Sequence, residues 1–342
     1  MAGDPILIYT TMKNEGPYML EWVAYHKSLG VDQFLIFTND CTDGTDAIAE
    51  RLTELGVAIH VDNAVAPGGS PQNQMLRRVR RHKAFKRAGW TFCLDVDEFL
   101  NIRILGAGVP ELIAKLEEVS GGPIDVASFA WKLFGCGGIE TFEDRPVTQQ
   151  FFMCDDEVTP YSGVAQGFKS ITRNNGTFPR YGPHRPKGAS DDIAPRLRWS
   201  DGSGQLMPYE TVSWRARPGF GHEFARLHHY VVRSVDGFLV KRDRGKTNHV
   251  NHDQAETYWN NMNANLCEDR TILPAVERAE IVRLELMADP ALSELHEAAV
   301  AWHKAKISEL RARDDWQEFR DFLKANLTHR AASTKAGGGV SA

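Results

Sequence analysis

Continuous apolar runs and amphipathic stretches alternate along the first hundred or so positions. Pro5-Ile6-Leu7-Ile8-Tyr9-Thr10 is a short unbroken apolar run, as expected of a strand buried on both faces of a parallel sheet. After Lys13-Asn14-Glu15-Gly16-Pro17, residues 18–29 carry Met19, Leu20, Trp22, Val23 and Leu29 at helical spacing and stop at Gly30, where a C-terminal cap belongs. The pattern then predicts a strand at 33–37, a polar loop at 38–45, an amphipathic helix at 46–55, a strand at 57–61 and a basic helix at 72–88. Strands and helices alternating at this spacing predict right-handed β-α-β units, hence an α/β protein with helices on both faces of a parallel sheet. Ligands of such sheets bind beyond the carboxyl ends of the strands. Three polar clusters fall there, Thr10 to Glu15, Asn39 to Thr45 and Asp95 to Glu98, and are expected to converge on one crevice. Each also has a plainer use: Asn39-Asp40 can shape a turn, and Asp43 or Thr45 can cap a helix.

The basic helix leads into Trp90-Thr91-Phe92-Cys93-Leu94-Asp95-Val96-Asp97-Glu98-Phe99-Leu100, an apolar run interrupted by three carboxylates in four positions. Asp is a poor strand former, and like charges this close repel unless a cation or hydrogen-bond donors offset them. At a strand end, residues two apart point the same way, so Asp95 and Asp97 are expected to face one hard cation while Val96 packs opposite. The plainer reading is an acidic loop capping the next helix.

Lys13-Asn14-Glu15, Glu21-Trp22-Val23 with His26 and Leu29-Gly30-Val31, the Asn39-Asp40-x-x-Asp43-Gly44-Thr45 loop and Leu94-Asp95-Val96-Asp97-Glu98-Phe99-Leu100 together resemble a family-2-type glycosyltransferase. More narrowly, they are similar to the branch with a DxDEF motif that is related to glycosyltransferase family 92. The resemblance implies the GT-A fold, a mostly parallel nucleotide-binding sheet whose D-x-D carboxylates hold Mn²⁺ or Mg²⁺ on the diphosphate of a sugar nucleotide. It implies nucleotide contacts from Thr10, Lys13, Asn14, Glu15, Asn39, Asp40, Asp43, Asp95 and Val96. Further on, Trp131-Lys132-Leu133-Phe134-Gly135 matches a W-x-x-F-G element that lies beside the donor sugar in related enzymes. Trp131 and Phe134 then offer a stacking wall for a sugar ring, or serve only as core aromatics. A basic strand, 168–172, and a histidine turn, Tyr181-Gly182-Pro183-His184-Arg185-Pro186, look like another family element, with His184 near donor or acceptor.

Residues 227–246 resemble the signature H-Y-x-x-[KR]-S-x-x-x-F-x-x-K-x-x-R-G. By that resemblance His229 is the third metal ligand, and Lys241 and Arg244, three apart on a helical turn, meet one diphosphate. On charge alone the pair also suits a solvated helix face. The activity implied is transfer of a sugar, from a UDP-sugar by preference, to a hydroxyl of a carbohydrate or glycolipid with inversion. Inversion needs a carboxylate base, which the sequence leaves open among Glu98, Asp155, Asp156, Glu157, Glu223 and Asp253. Two other readings stand beside it. A sugar-nucleotide nucleotidyltransferase would want a Gly-rich basic loop after its first strand, which Met12-Lys13-Asn14-Glu15-Gly16-Pro17 is not. A non-catalytic carbohydrate-binding protein would have had no need to keep Asp95, Asp97, His229, Lys241 and Arg244.

Composition narrows the remainder. The 342 residues are 42% hydrophobic, ample for a packed core, and the net charge of −5 argues against nucleic acid as a partner. Cys41, Cys93, Cys136, Cys154 and Cys267 lack C-x-x-C spacing, and their odd number leaves at least one unpaired, which points to a reducing compartment. A strand starting at Pro5 leaves no room for a signal peptide, and no run approaches the ~20 apolar residues of a membrane span. The expectation is a cytoplasmic protein, with peripheral membrane contact left open. Residues 1–247 read as the catalytic domain, with 186–220 an irregular, Gly/Pro/Ser-rich insertion or lid. Residues 248–330 read as a helical extension, broken at Ile272-Leu273-Pro274, with apolar faces at Ile281-Val282-Leu284-Leu286 and Ile307-Leu310, which covers the sheet or mediates self-association. His249 and His252 have metal-compatible spacing, and the Gly-rich tail 331–342 is expected to be disordered.

Overall fold

The structure, a computed structural model, describes residues 4–156, 166–209, 213–245 and 255–328. The first half is the expected alternation: β1 (Ile6–Met12), α1 (Gly16–Ser28), β2 (Gln33–Thr38), α2 (Thr45–Glu54), β3 (Ala58–Asp62), α3 (Pro71–Arg78), α4 (Lys83–Arg87) and β4 (Trp90–Cys93). These strands run parallel in the order β4-β1-β2-β3. Ile6, Ile8, Phe34 and Ile36 share one core with α1 and α2, while Leu7, Tyr9, Leu35 and Phe37 face Met75, Val79 and Phe85 on the other side. Unbroken apolar runs thus mark strands covered on both faces.

The second half makes the sheet mixed. After β5 (Glu98–Ile102), α5 (Val109–Ser120), β6 (Val126–Leu133) and β7 (Met153–Cys154), the strand β8 (Phe168–Arg173) inserts antiparallel between β4 and β6. β9 (Arg180–Tyr181) and β10 (Pro186–Lys187) form a small hairpin, and β11 (Trp199–Ser200) and β12 (Leu206–Met207) extend the main sheet beyond β6. β13 (Ala225–His229) pairs parallel with β6 and antiparallel with β5, building a three-stranded strip at the end of the parallel half. The chain closes with α6 (Val235–Asp243), α7 (Ala255–Met262), β14 (Cys267–Glu268), α8 (Leu273–Met287), α9 (Pro290–Ala312) and α10 (Gln317–Ala325).

α8 and α9 pack on α1, making a further layer outside the sheet. The approach is close at Gly16, where an added Cβ would come within 2.6 Å of Ala299 Cβ. Pro274 stands in the first turn of α8, as the break in the sequence pattern predicts.

Four expectations are corrected. The helix expected at 72–88 is two, because His82 adopts an extended conformation after a 3₁₀ turn and its imidazole caps Ala84 N–H at 3.2 Å. The acidic stretch is two strands with a turn between them. Within 186–220, Trp199 is fully buried and donates to Ser128 Oγ at 2.8 Å, so part of this segment belongs to the sheet; two-residue strands leave no periodicity to read. On α8, Ile281 and Leu284 are 62% and 57% exposed, while Ala275, Val276, Ala279 and Leu286 form the buried face. Cys154 and Cys267 face each other across β7 and β14 with their sulfurs 3.5 Å apart, and all five cysteines are free thiols. No described helix is long and apolar enough to cross a membrane.

Candidate functional site

The turn between β4 and β5 is closed by Glu98 N–H donating to the Asp95 carbonyl at 3.0 Å. Asp95 and Asp97 therefore lie on a turn, where the two-residue alternation of extended chain does not apply, and they point to different partners. Asp95 Oδ2 accepts from Lys169 Nζ at 2.9 Å. Asp97 Oδ2 accepts from Lys241 Nζ at 2.7 Å, and its Oδ1 lies 3.4 Å from His229 Nε2. Burial alone would raise the Asp97 pKa, but the Lys241 and His229 charges override it and hold the carboxyl well below its usual range.

Glu98 is fully buried with both oxygens engaged: Oε1 accepts the Trp131 indole N–H at 2.7 Å, and Oε2 accepts Asp95 N–H at 2.8 Å beside Lys169 at 3.2 Å. Burial raises its pKa to about 7, against the lowering pull of Lys169 and with help from the Asp95 charge. A carboxylate closed off in this way has no face for an acceptor hydroxyl. As a general base Glu98 is ruled out by its burial; it orders the turn. Lys169, only 1% exposed, is stabilised as a cation between Asp95 and Glu98 despite its burial.

The first-strand loop is joined to the same cluster from the far end of the chain. Glu15 accepts from Arg244 Nη2 at 2.5 Å and from Arg233 Nη1 at 3.1 Å. Burial opposes ionisation of Glu15, and the two guanidinium groups reverse that to a lowered pKa. Arg244 also donates to the Lys13 and Asn14 carbonyls, and Arg233, at φ +56°, lays its guanidinium 3.5 Å from the Tyr18 ring centre. Ser234 caps α6 by accepting from Gly237 N–H. Lys241 and Arg244 thus bind two different carboxylates, Asp97 and Glu15.

Several expected nucleotide contacts are taken up by the fold. Asp43 Oδ2 accepts Gly16 N–H at 2.9 Å, and its Oδ1 accepts both the N–H and the hydroxyl of Thr45. Asn14, at φ +50°, exchanges two hydrogen bonds with Thr42. These side chains lock the loop after β1 to the loop after β2. Val96 and Thr10 are buried, Thr10 with its hydroxyl unpartnered; Lys13 is half-buried; Asn39 is buried and donates to Asp40, which is exposed at φ +45°.

Trp131 reaches the cluster through Glu98, with its ring 4.6 Å from His229 and 5.5 Å from His184. Burial lowers the His184 pKa to about 4, and its Nδ1 bonds the Phe168 carbonyl. Phe134 is corrected: it is fully buried against His228 and Tyr230, without a free ring face for a sugar. Asp155 hangs on the Leu133 carbonyl, whose residue pairs with His229, which brings the half-buried Asp156 to this end of the sheet. Glu223 is exposed, with its N–H on Ser203. Glu157, His249, His252, Asp253 and the tail lie outside the described residues. The sequence reading missed Lys169 and Arg233 as members of the cluster; their signal was a lone cation inside a strand and the [KR] position of the late signature.

The donor set matches a hard cation only in part. Asp97 Oδ1 and His229 Nε2 have the spacing of two neighbouring ligands, about 3 Å for metal–oxygen distances near 2.1 Å. Asp95 pairs instead with the Lys169 ammonium, and no three such side chains converge among the described residues.

Residues 13–132 match the family pattern of Glycosyltransferase family 92. A family 92 protein of Ricinus communis is 26% identical over 144 residues, 41% of this chain and 25% of its own length. One from Arabidopsis thaliana is 29% identical over 94 residues, 28% of this chain and 16% of its own. The chain thus spans a quarter or less of the curated relatives it matches. Among solved structures, glucosyl-3-phosphoglycerate synthase of Mycobacterium tuberculosis, in complex with Mn²⁺, UDP and glucosyl-3-phosphoglycerate, has a TM-score of 0.25 at 17% identity over 38% of this chain and 44% of its own. TarS of S. aureus has a TM-score of 0.30 at 12% identity over 50% of this chain and 28% of its own. Likeness of this extent carries no information on substrate.

Proposed function

From the glycosyltransferase family 92 pattern in residues 13–132, we propose that the chain is a metal-dependent glycosyltransferase that moves a sugar from a nucleotide-sugar donor, a UDP-sugar by preference, to a carbohydrate or glycolipid hydroxyl with inversion. The observation that carries this reading is the convergence of Asp95, Asp97 and Glu15 with Lys169, His229, Lys241 and Arg244 at the carboxyl end of the parallel strands. A structural cluster has no need to leave Asp95 38% and Lys241 19% exposed at its rim.

In this reading Asp97 and His229, with Asp95 at the rim, would hold Mn²⁺ or Mg²⁺, and the cation would neutralise charge on the departing nucleoside diphosphate. Lys241 neutralises Asp97 before a ligand arrives and turns to phosphate oxygens afterwards. Arg244 and Arg233 hold Glu15 and fix the loop over which the nucleotide lies. Trp131, fixed by Glu98, offers its ring edge to the donor sugar beside His184. The base is assigned to Asp156, half-buried where the strip ends, which takes the proton from the acceptor hydroxyl as the bond to the anomeric carbon forms. Residues 1–247 form the catalytic unit, and the C-terminal helices buttress α1.

Thermal shift with UDP, GDP and CMP, each with Mn²⁺ and with chelator, tests the reading. A rise in melting temperature with UDP that requires Mn²⁺ supports it. Indifference to all three nucleotides removes it, and stabilisation by a nucleoside triphosphate with a sugar phosphate, with pyrophosphate released, would assign a nucleotidyltransferase instead.

A further inference from the structure

Cys154 of β7 and Cys267 of β14 are direct partners in an antiparallel pair, 113 residues apart in sequence, with their sulfurs 3.5 Å apart. Opposed residues of antiparallel strands have Cα atoms about 4.5–5.5 Å apart, inside the roughly 4.4–6.8 Å that a disulfide spans. Closing the sulfurs to a bond of about 2.0 Å then asks only for side-chain rotation. Among the described residues the other three thiols have no such neighbour. Cys136 bonds the Leu327 carbonyl, Cys93 is buried beside Tyr9, and Cys41 bonds the Met12 and Asn39 carbonyls, with burial pushing its thiol up to about 12.

The two sulfurs differ in access. Cys154 is fully buried, and burial pushes its thiol up against the opposing charge of Lys132. Cys267 is half-buried, with its sulfur 3.2 Å from the Asp155 carbonyl. A small oxidant therefore reaches Cys267 first, and Cys154 lies behind it to take the second step. Both segments also end on β6: Asp155 N–H donates to the Leu133 carbonyl, and Asp269 Oδ2, two residues past Cys267, accepts from Lys132 Nζ at 2.5 Å.

We propose that Cys154 and Cys267 are a peroxide-oxidisable pair whose disulfide locks β14 to β7. In the first step the Cys267 sulfur takes one oxygen of hydrogen peroxide, giving a sulfenic acid and one water. In the second the Cys154 sulfur attacks the Cys267 sulfur; the S–S bond forms as the S–O bond breaks, and the hydroxide leaves as a second water with the Cys154 thiol proton. Two thiols are oxidised and one peroxide is reduced, and an added dithiol reverses the change by exchange. The pairing is independent of the sugar-transfer reading.

Treatment of the full chain with a small excess of hydrogen peroxide, then alkylation in denaturant and intact-mass measurement, tests the pair. Five alkyl groups on the reduced protein and three after peroxide, with a peptide pair joining Cys154 to Cys267, are the expected result. The oxidised protein should melt about 5 °C higher, and dithiothreitol should restore both readings. Five alkyl groups after peroxide, a bond to any other cysteine, or dimers on a non-reducing gel overturn the proposal, and an unchanged melting temperature overturns the lock. Cys154→Ala should leave a sulfenic acid on Cys267 that dimedone traps, whereas Cys267→Ala should give no adduct at Cys154; the reverse pattern overturns the assigned order. Early dimedone labelling of the unchanged protein gives the same answer where a variant does not fold.

Discussion

The two faces of the β5–β13–β6 strip carry ion pairs of similar length but opposite character. On the front, Asp97–Lys241 spans 2.7 Å with the lysine 19% exposed, and Asp95 is 38% exposed. On the back, Lys132–Asp269 is closed at 5% and 4%, and His228 is neutral, since its Nε2 accepts from Asn101 Nδ2 at 3.0 Å. Asp269 at 3.7 Å would favour a charged imidazole, but burial outweighs it and lowers the His228 pKa to about 3. Adjacent residues of one strand thus separate an electrostatic cluster open at its rim from one whose charged side chains are buried. Placement of the pair, more than its distance, decides whether it serves chemistry or folding.

The largest effect expected from breaking the comparison is on the back. Lys132→Met leaves Asp269 buried without its main partner, and the loss should be about 3–5 kcal/mol in chemical denaturation; a midpoint close to that of the unchanged protein would contradict the closed character of this pair. Asp97→Asn acts on function first. UDP binding in Mn²⁺ should disappear and transfer should fall about 10²–10³-fold, while the melting temperature drops less than in Lys132→Met because Lys241 can reach solvent. Equal destabilisation by the two substitutions would erase the distinction drawn here.

Trp131→Phe removes the indole N–H from a buried carboxylate and should cost about 1.5–3 kcal/mol, with a further rise in the Glu98 pKa detectable by carboxylate infrared difference spectra. The smallest effect is a slope. Glu98 has a folded pKa raised from 4.5 to about 7, so its contribution to stability is complete below about 4.5 and is lost as pH rises through about 7. Asp269, whose pKa is lowered despite burial by its hydrogen bonds from Lys132 and Thr271, works in the opposite sense: its contribution is present above 3.8 and is lost as pH falls below it. Glu98→Gln should flatten the pH dependence of unfolding between about 4.5 and 7 and leave the acid limb unchanged; an unaltered slope would mean that Glu98 is already ionised in the folded protein.

How far the sequence reached is visible in single residues. The strands β1 and β2 were legible because continuous apolar runs have one common use, burial from both sides, whereas β3 lies at the sheet edge and is only half-buried. Asp97 was legible as a polar residue interrupting an apolar run, His229 and Lys241 only through their resemblance to the late signature, and the structure brings the three side chains together. Asp43 and Asn14 were legible as polar but not in their use, because a side chain that bonds a neighbouring loop looks in sequence like one that awaits a ligand. Phe134 shows the converse: an aromatic beside a candidate site can belong to the core, and only its neighbours His228 and Tyr230 reveal it.

By itself, the sequence determined the alternation of strands and helices, the end of the sheet where charge collects and the run of three carboxylates there, since periodicity and local composition are properties of neighbours along the chain. The tertiary structure alone decided that Lys169 and Arg233 complete the acidic cluster, that Glu98 is sealed away from any acceptor, and that Lys132 and Asp269 meet across 137 residues on the reverse of the strip. Pairings between distant residues depend on strand order and register, which local patterns do not encode.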